Sequence, residues 1–277
     1  MHKSHYFSKP IYPILPFLNS GSGYVRSEAA VAIYIQKSNI SRRTYATILH
    51  ARTNTDGYKE TGITFPSGRV QKELLEEVYS EAGVNPAQVS YVEAHGTGTK
   101  AGDPQELNSI AEVFCKDRPL DRPLLLGSVK SNMGHSEPAS GLCSIAKVLT
   151  AMQEGKLPAN LHFKEPNTDI PALSDGRFKV VSENMPWEGG IVGVNSFGFG
   201  GANVHVILQS NPKPKSTPVV DATPVLVPYS GRTKEAVEAT LKDLSSKPKD
   251  DELIGLFHEI CKDDIPGHHY RGNIFET

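Results

Sequence analysis

The sequence predicts an α/β layered fold, and three observations predict it. Short runs of β-branched and aliphatic residues at 89–93, 123–129 and 191–195 read as strands; the continuous apolar ones have the pattern of strands covered on both faces. Between such runs lie stretches of helical periodicity, at 67–83, 105–114 and 139–153. Glycine-rich loops stand where a strand gives way to a helix, the junction at which many α/β proteins build a site.

The elements follow in order. Residues 1–22 are punctuated by proline, and their one apolar patch, 11–17, contains two prolines. Those prolines and the lack of a small-residue cleavage site argue against a secretory signal, so a disordered or poorly packed leader is expected. Residues 23–35, rich in small and β-branched side chains, read as a buried strand or hairpin arm, and 44–50 as a second strand after a basic turn at 41–43. Asn54-Thr-Asp-Gly57 is turn chemistry. In the helix over 67–83, Ser67 is the cap, Val70, Leu74, Leu75, Val78 and Tyr79 form the apolar stripe, and Gly83 is the stop.

The strand over 89–93 leads to His95 and a loop holding Thr97 and Thr99, and the strand over 123–129 leads to Lys130 and His135. Small residues in the helix over 139–153 allow close packing. Residues 157–160 form a turn, and strands follow at 178–182 and 191–195. The strand over 204–208 closes a hairpin through the Gly198-Phe-Gly-Gly201 turn. A Pro/Lys-rich linker occupies 211–222. A smaller α/β unit over 223–277 carries a strand, a helix capped by Thr233, a short helix over 253–260 and a last strand over 270–275.

Composition narrows the function classes. Of 277 residues, 38% are hydrophobic and 22% charged, with a net charge of −2, so nothing points to nucleic acid or an anionic membrane surface. Cys115, Cys143 and Cys261 have no CxxC spacing, which excludes a zinc ribbon and a disulfide framework and fits a reducing cytosol. No histidine falls at metal-ligand spacing; His50, His162, His205, His258, His268 and His269 are left unassigned.

Taken residue by residue, the loops admit two readings. Glycines let backbone approach a ligand, and threonine hydroxyls supply donors and acceptors. An ordinary strand-to-helix turn with a surface histidine fits the first loop as well. Phe199 between glycines suits a swinging gate, or else a core aromatic in a tight hairpin. Asp103 and Glu106 read as structural, a turn or cap residue and a first-turn helix carboxylate.

Three long segments in series, EAHGTGTKAGDPQEL from Glu93, GSVKSNMGHSEPASGL from Gly127 and NSFGFGGANVHVIL from Asn195, carry a resemblance to the condensing enzymes, the β-ketoacyl synthases. The similarity is to the ketosynthase region of the animal-type multifunctional fatty acid synthase, which residues 53–67 also resemble. It covers 23–210, and the tail resembles the linker between ketosynthase and acyltransferase.

The resemblance implies a thiolase-like layered fold, of which this chain is the C-terminal half. It implies decarboxylative condensation of a malonyl thioester, carried on the phosphopantetheine of an acyl carrier protein, with an enzyme-bound acyl thioester. His95 and His135 match the two histidines that hold the enolate oxygen. Lys130 matches the supporting lysine. Phe199, with Gly198, Gly200 and Gly201, matches the gate and oxyanion turn, and Thr97 and Thr99 the phosphopantetheine contacts. No cofactor or metal is implied for this chain; NADPH-dependent steps belong to other domains.

The nucleophilic cysteine of the family, in a Thr-Ala-Cys-Ser-Ser context, has no counterpart among the three cysteines. A piece of a ketosynthase is therefore expected, inactive alone and marginally stable, with one face left uncovered where a sister half packs. The implied partners are that N-terminal half, the carrier protein and, for the full-length family, a second copy, all in the cytosol. A non-catalytic remnant that binds a carrier and a polyketide synthase fragment remain as alternatives.

Overall fold

The computed structural model describes residues 14–41, 44–211, 225–248 and 250–276, the side chains of residues 225, 251, 252, 275 and 276 excepted. The expected basic turn at 42–43, most of the linker and the first thirteen residues lie outside that set. Contacts divide the chain into two compact units, Met1–Pro214 and Lys215–Thr277.

In the first unit the chain runs β1 (Ala46–Thr55), α1 (Gly68–Ala82), β2 (Val89–Glu93), α2 (Gly102–Phe114), β3 (Leu124–Gly127), a single turn α3 (Lys130–Met133) and α4 (Ser140–Glu154). There follow β4 (Lys156–Leu157), β5 (Phe178–Val180), β6 (Met185–Pro186), β7 (Ile191–Phe197) and β8 (Ala202–Ser210). One mixed sheet takes six of these strands in the order β1-β8-β7-β2-β3-β5; β4 and β6 form a separate small pair. The four strands from β7 to β5 are parallel, while β8 is antiparallel to both β7 and β1.

Alternation along each strand sends side chains to two cores. Val92, Leu124, Leu126 and Ile207 join Leu75, Val78, Ile110 and Phe114 under α1 and α2. Tyr91, Val192, Val194 and Leu208 join Val148, Ala151 and Trp187 under α4. The continuous apolar runs thus have the cause expected of them, helices on both faces. Helix α1 starts where Ser67 Oγ accepts the Val70 N–H at 3.4 Å and ends at Gly83, whose φ of 62° is the left-handed cap.

Two expectations fail here. Residues 14–22 are not a poorly packed leader: Ile14, Phe17 and Leu18 are buried, and Asn167 N–H donates to Phe17 O at 2.9 Å. Residues 23–35 are not a buried strand. The segment is extended, yet Tyr34 is 85% exposed and, among the described residues, its one bridge is Arg26 beside His135. Its small and β-branched composition fixes an extended backbone, but no strand among the described residues lies alongside it.

In the second unit β9 (Val225–Gly231) pairs antiparallel with β10 (Tyr270–Glu276). Helix α5 (Lys234–Ser245), capped by Thr233, and helix α6 (Asp251–Ile260) complete it. Gly272 lets Leu241 and Val237 of α5 lie on the strands, since a Cβ there would meet them at 2.7 and 3.0 Å. Tyr229 and Phe257 pack edge to face at 5.6 Å.

Candidate active site

The C-terminal ends of β2 and β3 and the β7–β8 turn converge on one cleft of 740 Å³. Strand ends at which the order switches direction are where open α/β sheets hold ligands. His95 leaves β2 into the cleft, with its backbone N–H held by Glu106 Oε1 at 2.7 Å, and the next N–H, of Gly96, held by Oε2 at 2.9 Å. Gly96 has a φ of 43° and a Cβ there would meet the Phe17 ring at 3.0 Å, so the turn needs glycine. Asp103 Oδ1 accepts the Gly98 N–H at 3.1 Å. Thr99 Oγ1 accepts the Gly102 N–H at 3.0 Å, and the hydroxyls of Thr97 and Thr99 lie 3.3 Å apart on the cleft wall.

Strand β3 delivers Lys130, which is 1% exposed. Its ammonium has no hydrogen-bond partner among the described residues. Burial lowers the Lys130 pKa, opposed by the field of Glu93, Glu106 and Asp103. His135 follows α3. Its backbone N–H donates to Val25 O at 2.8 Å and its carbonyl accepts from Ser27 N–H at 3.0 Å.

The Glu137 N–H donates to His135 Nδ1 at 3.2 Å, which places the ring proton on Nε2. Burial, then the charge of Lys130, pushes the His135 pKa down to about 4. The same two causes, in the same order, hold His95 well below the ordinary imidazole range. At neutral pH both rings are uncharged. They meet edge to face, with centroids 5.2 Å apart, and Phe197 lies 6.2 Å from His95.

The Gly198–Gly201 turn closes the cleft on the third side. Gly198 N–H bonds Ala202 O at 2.7 Å and Gly201 N–H bonds Gly198 O at 2.9 Å, while the Phe199 ring is 70% exposed at the rim. Asp56 anchors the turn by donating its N–H to Gly201 O at 2.8 Å.

All the histidine, lysine, threonine and turn residues singled out in the sequence therefore belong to one region. Cys143 is buried 3.4 Å from Ser136 Oγ, and Cys115 is buried against Arg177 O. Burial pushes the Cys115 thiol up to about 11, the reverse of an activated nucleophile.

Sequence reasoning missed several residues. Tyr24 packs edge to face on His135 at 5.0 Å, and Tyr24 and Arg26 both meet Glu137 at the cleft mouth. Nothing in their spacing announces this, because the pairing spans more than a hundred residues. Glu93 and Lys147 form a buried ion pair, and Glu93 Oε1 accepts the Val129 N–H at 2.6 Å, one residue before Lys130. A lone glutamate inside the apolar run of β2 was the available signal. Asp103 and Glu106, read as helix-start carboxylates, are buried clamps on the histidine loop.

Residues 45–164 match the family described as β-ketoacyl synthase, C-terminal domain, and 166–274 match the ketoacyl-synthetase C-terminal extension. The chain belongs to the β-ketoacyl synthase family. The two matches meet inside the first unit, whose sheet takes β1, β2 and β3 from one and β5, β7 and β8 from the other; contacts, by contrast, set the unit boundary near Pro214. The six-stranded sheet is a property of the fold, so we take the contact boundary as the physical one.

Among relatives, a fatty acid synthase of Anser anser anser is 53% identical over 136 residues, 49% of this chain and 38% of the relative. A hybrid PKS-NRPS synthetase of Aspergillus terreus is 36% identical over 245 residues, 79% of this chain and 36% of the relative. Among solved structures, the ketosynthase from module 6 of the bacillaene synthase of Bacillus subtilis 168 superposes with a TM-score of 0.67 at 32% identity, over 78% of this chain and 38% of that one. The ketosynthase from module 1 of the Bacillus amyloliquefaciens bacillaene synthase gives 0.76 at 27% identity, over 95% of this chain and 50% of that one. The ketosynthase region thus has the layered, thiolase-like α/β fold of these enzymes, and the chain spans at most half the length of each of these four relatives.

Proposed function

We propose that this ketosynthase region supplies the histidine-bearing side of the condensing site of a fatty acid synthase. In that reaction the malonyl thioester loses CO2, and the electrons of the broken C–C bond pass to a thioester enolate. The enolate carbon then attacks an acyl thioester on cysteine, forming a C–C bond and releasing the thiolate. The neutral rings of His95 and His135 serve as N–H donors to the enolate oxygen, where charge develops. Lys130 supplies a fixed positive field behind them. The Phe199 N–H serves the oxyanion hole of the acylation steps. Its ring is the gate, and Gly198, Gly200 and Gly201 allow its swing. Thr97 and Thr99 bind the phosphopantetheine arm of a cytosolic acyl carrier protein.

The observation that carries this reading is the pair of uncharged imidazoles 5.2 Å apart in the cleft with a buried lysine behind them. The nucleophile belongs to an N-terminal half outside this chain, which pairs with it and, in the whole synthase, dimerises. A polyketide synthase reading is favoured by relatives such as the Aspergillus synthetase, which match 79% of this chain. The identity of 53% to a fatty acid synthase favours the first.

The test combines the chain with a cysteine-bearing N-terminal half and measures condensation of acyl and malonyl carrier thioesters. Condensation that requires both halves, and falls by about 100-fold or more in His95→Ala or His135→Ala, is expected. Condensation by the chain alone overturns the proposal. Carrier binding with no condensation in the combined protein gives the non-catalytic reading the lead. Preference for branched or β-substituted acyl groups moves the assignment to polyketide synthesis.

A further inference from the structure

One buried histidine has no part in the reaction described above. His205 lies on β8 opposite Asn195 of β7, and both are 0% exposed. His205 Nδ1 is 2.6 Å from Asn195 Oδ1, and its Nε2 is 3.2 Å from Tyr79 Oη on α1. Asn195 Nδ2 in turn donates to Glu106 Oε1 at 2.8 Å, the oxygen that also accepts the His95 N–H. The site is built for a ring: a Cβ at Gly193 would come within 2.8 Å of His205 Cε1 and 3.0 Å of Tyr79 Oη.

The sense of every bond follows. Glu106 takes two backbone N–H groups and an amide N–H, so it acts as an acceptor throughout and the Asn195 amide must turn its nitrogen toward it. The Asn195 oxygen then faces His205 and needs a donor. Burial pushes the His205 pKa down to about 3, so the ring is neutral with one proton to place. That proton sits on Nδ1, leaving Nε2 to accept from the Tyr79 hydroxyl. Tyr79, His205 and Asn195 thus donate in one direction toward the Glu106 carboxylate, which from the other side accepts the backbone N–H groups of His95 and Gly96.

We propose that His205 is a positioning residue for His95, fixing the Asn195 amide so that Glu106 clamps the His95–Gly96 backbone. The proposal rests on the reading of His95 as a catalytic histidine only for its functional meaning; the linkage itself is tested without turnover.

The test uses the 277-residue chain with 15N-labelled histidine. The His205 ring is expected as the Nδ1–H tautomer. His205→Leu should speed amide exchange at His95 and Gly96 by about tenfold relative to Val92 and Leu126 in the neighbouring strands, the scale of one lost hydrogen bond. His205→Asn, whose amide nitrogen stands where Nδ1 stands and keeps an N–H for Asn195, should recover most of that protection. If His205→Leu fails to fold, Tyr79→Phe keeps the ring and removes only the hydroxyl. It should raise the Nε2–H tautomer fraction and loosen the same two amides more than the reference strands. An Nε2–H tautomer in the parent, or equal loosening at His95, Gly96, Val92 and Leu126, overturns the proposal. A catalytically silent His95 in the combined synthase would leave these readouts unchanged.

Discussion

The Asp103 carboxylate receives the backbone N–H of Phe17 at 2.8 Å, tying a segment near the start of the described chain to the start of α2. Its other oxygen holds the Gly98 N–H. Asp103→Asn turns an amide N–H toward one of these donors and should cost about 1–3 kcal/mol, the penalty for leaving a buried polar group unsatisfied. Urea unfolding at constant pH measures it; an unchanged midpoint would show that the Phe17 segment contributes nothing to folding.

Asp103 also gives stability a pH dependence of unusual sign. Burial raises its pKa to about 7 from 3.8, despite the three backbone groups that oppose the rise. The folded state keeps the proton where the unfolded chain has lost it. The contribution of this group is therefore fully present below pH 3.8 and is lost as pH rises toward and through 7. Urea midpoints of the parent should carry this falling component between pH 4 and 7, and Asp103→Asn should lack it.

The buried histidines act in the opposite direction. His135 and His205 are pushed down to about 4 and about 3, from 6.5, so the unfolded chain binds protons that the fold refuses. Their stabilisation is complete above pH 6.5 and lost as pH falls through 4 toward 3. In an Asp103→Asn background, which removes one of the two buried carboxyls that oppose the histidines (Glu106, also raised by burial, is the other), the urea midpoint should rise from pH 4.5 to 6.5 more steeply than in the parent. A slope no steeper than the parent's would contradict the opposition of these groups.

Lys147 is the cation for Glu93, whose side chain is fully buried and also bonded to Tyr91 Oη at 2.6 Å. Lys147→Met should cost about 3–5 kcal/mol because it strands a buried charge, whereas Glu93→Gln combined with Lys147→Met should cost markedly less. Equal losses in the single and double variants would mean that the pair is not coupled. Circular dichroism melts on the three proteins distinguish these outcomes.

At the cleft rim, Phe199→Ala should leave stability within about 0.5 kcal/mol, as exposed substitutions usually do, yet slow acyl loading in the combined synthase. A rate equal to the parent's would remove the gate role.

The two periodicities made most of the fold legible. The period of two in β2, β3 and β8 divides side chains between two cores, and the stripe from Val70 to Tyr79 gave α1 its face. The histidines, lysine, threonines and glycine turn were legible because each stands at a strand end inside a long motif. What stayed hidden depends on distant partners. Asp103 and Glu106 have the spacing of ordinary helix-start carboxylates, and only the return of residues 14–18 and of β7 buries them. His205 occupies an inward position of a strand, and its sequence gives no sign that Asn195 and Tyr79 face it. Residues 23–35 have strand composition, but composition cannot supply a neighbouring strand.

The bonds between His135 and the strap at Val25 and Ser27 bear on where this region can be cut. A recombinant chain begun at Tyr45, where the family match starts, would retain all six strands of the sheet and both apolar cores except the Phe17 contribution. It would nonetheless release one of the two imidazoles from the backbone bonds to Val25 and Ser27 that hold it. The strands of the sheet and the site thus draw on different lengths of the chain: the sheet needs nothing before β1, while the site also needs the strap that holds His135.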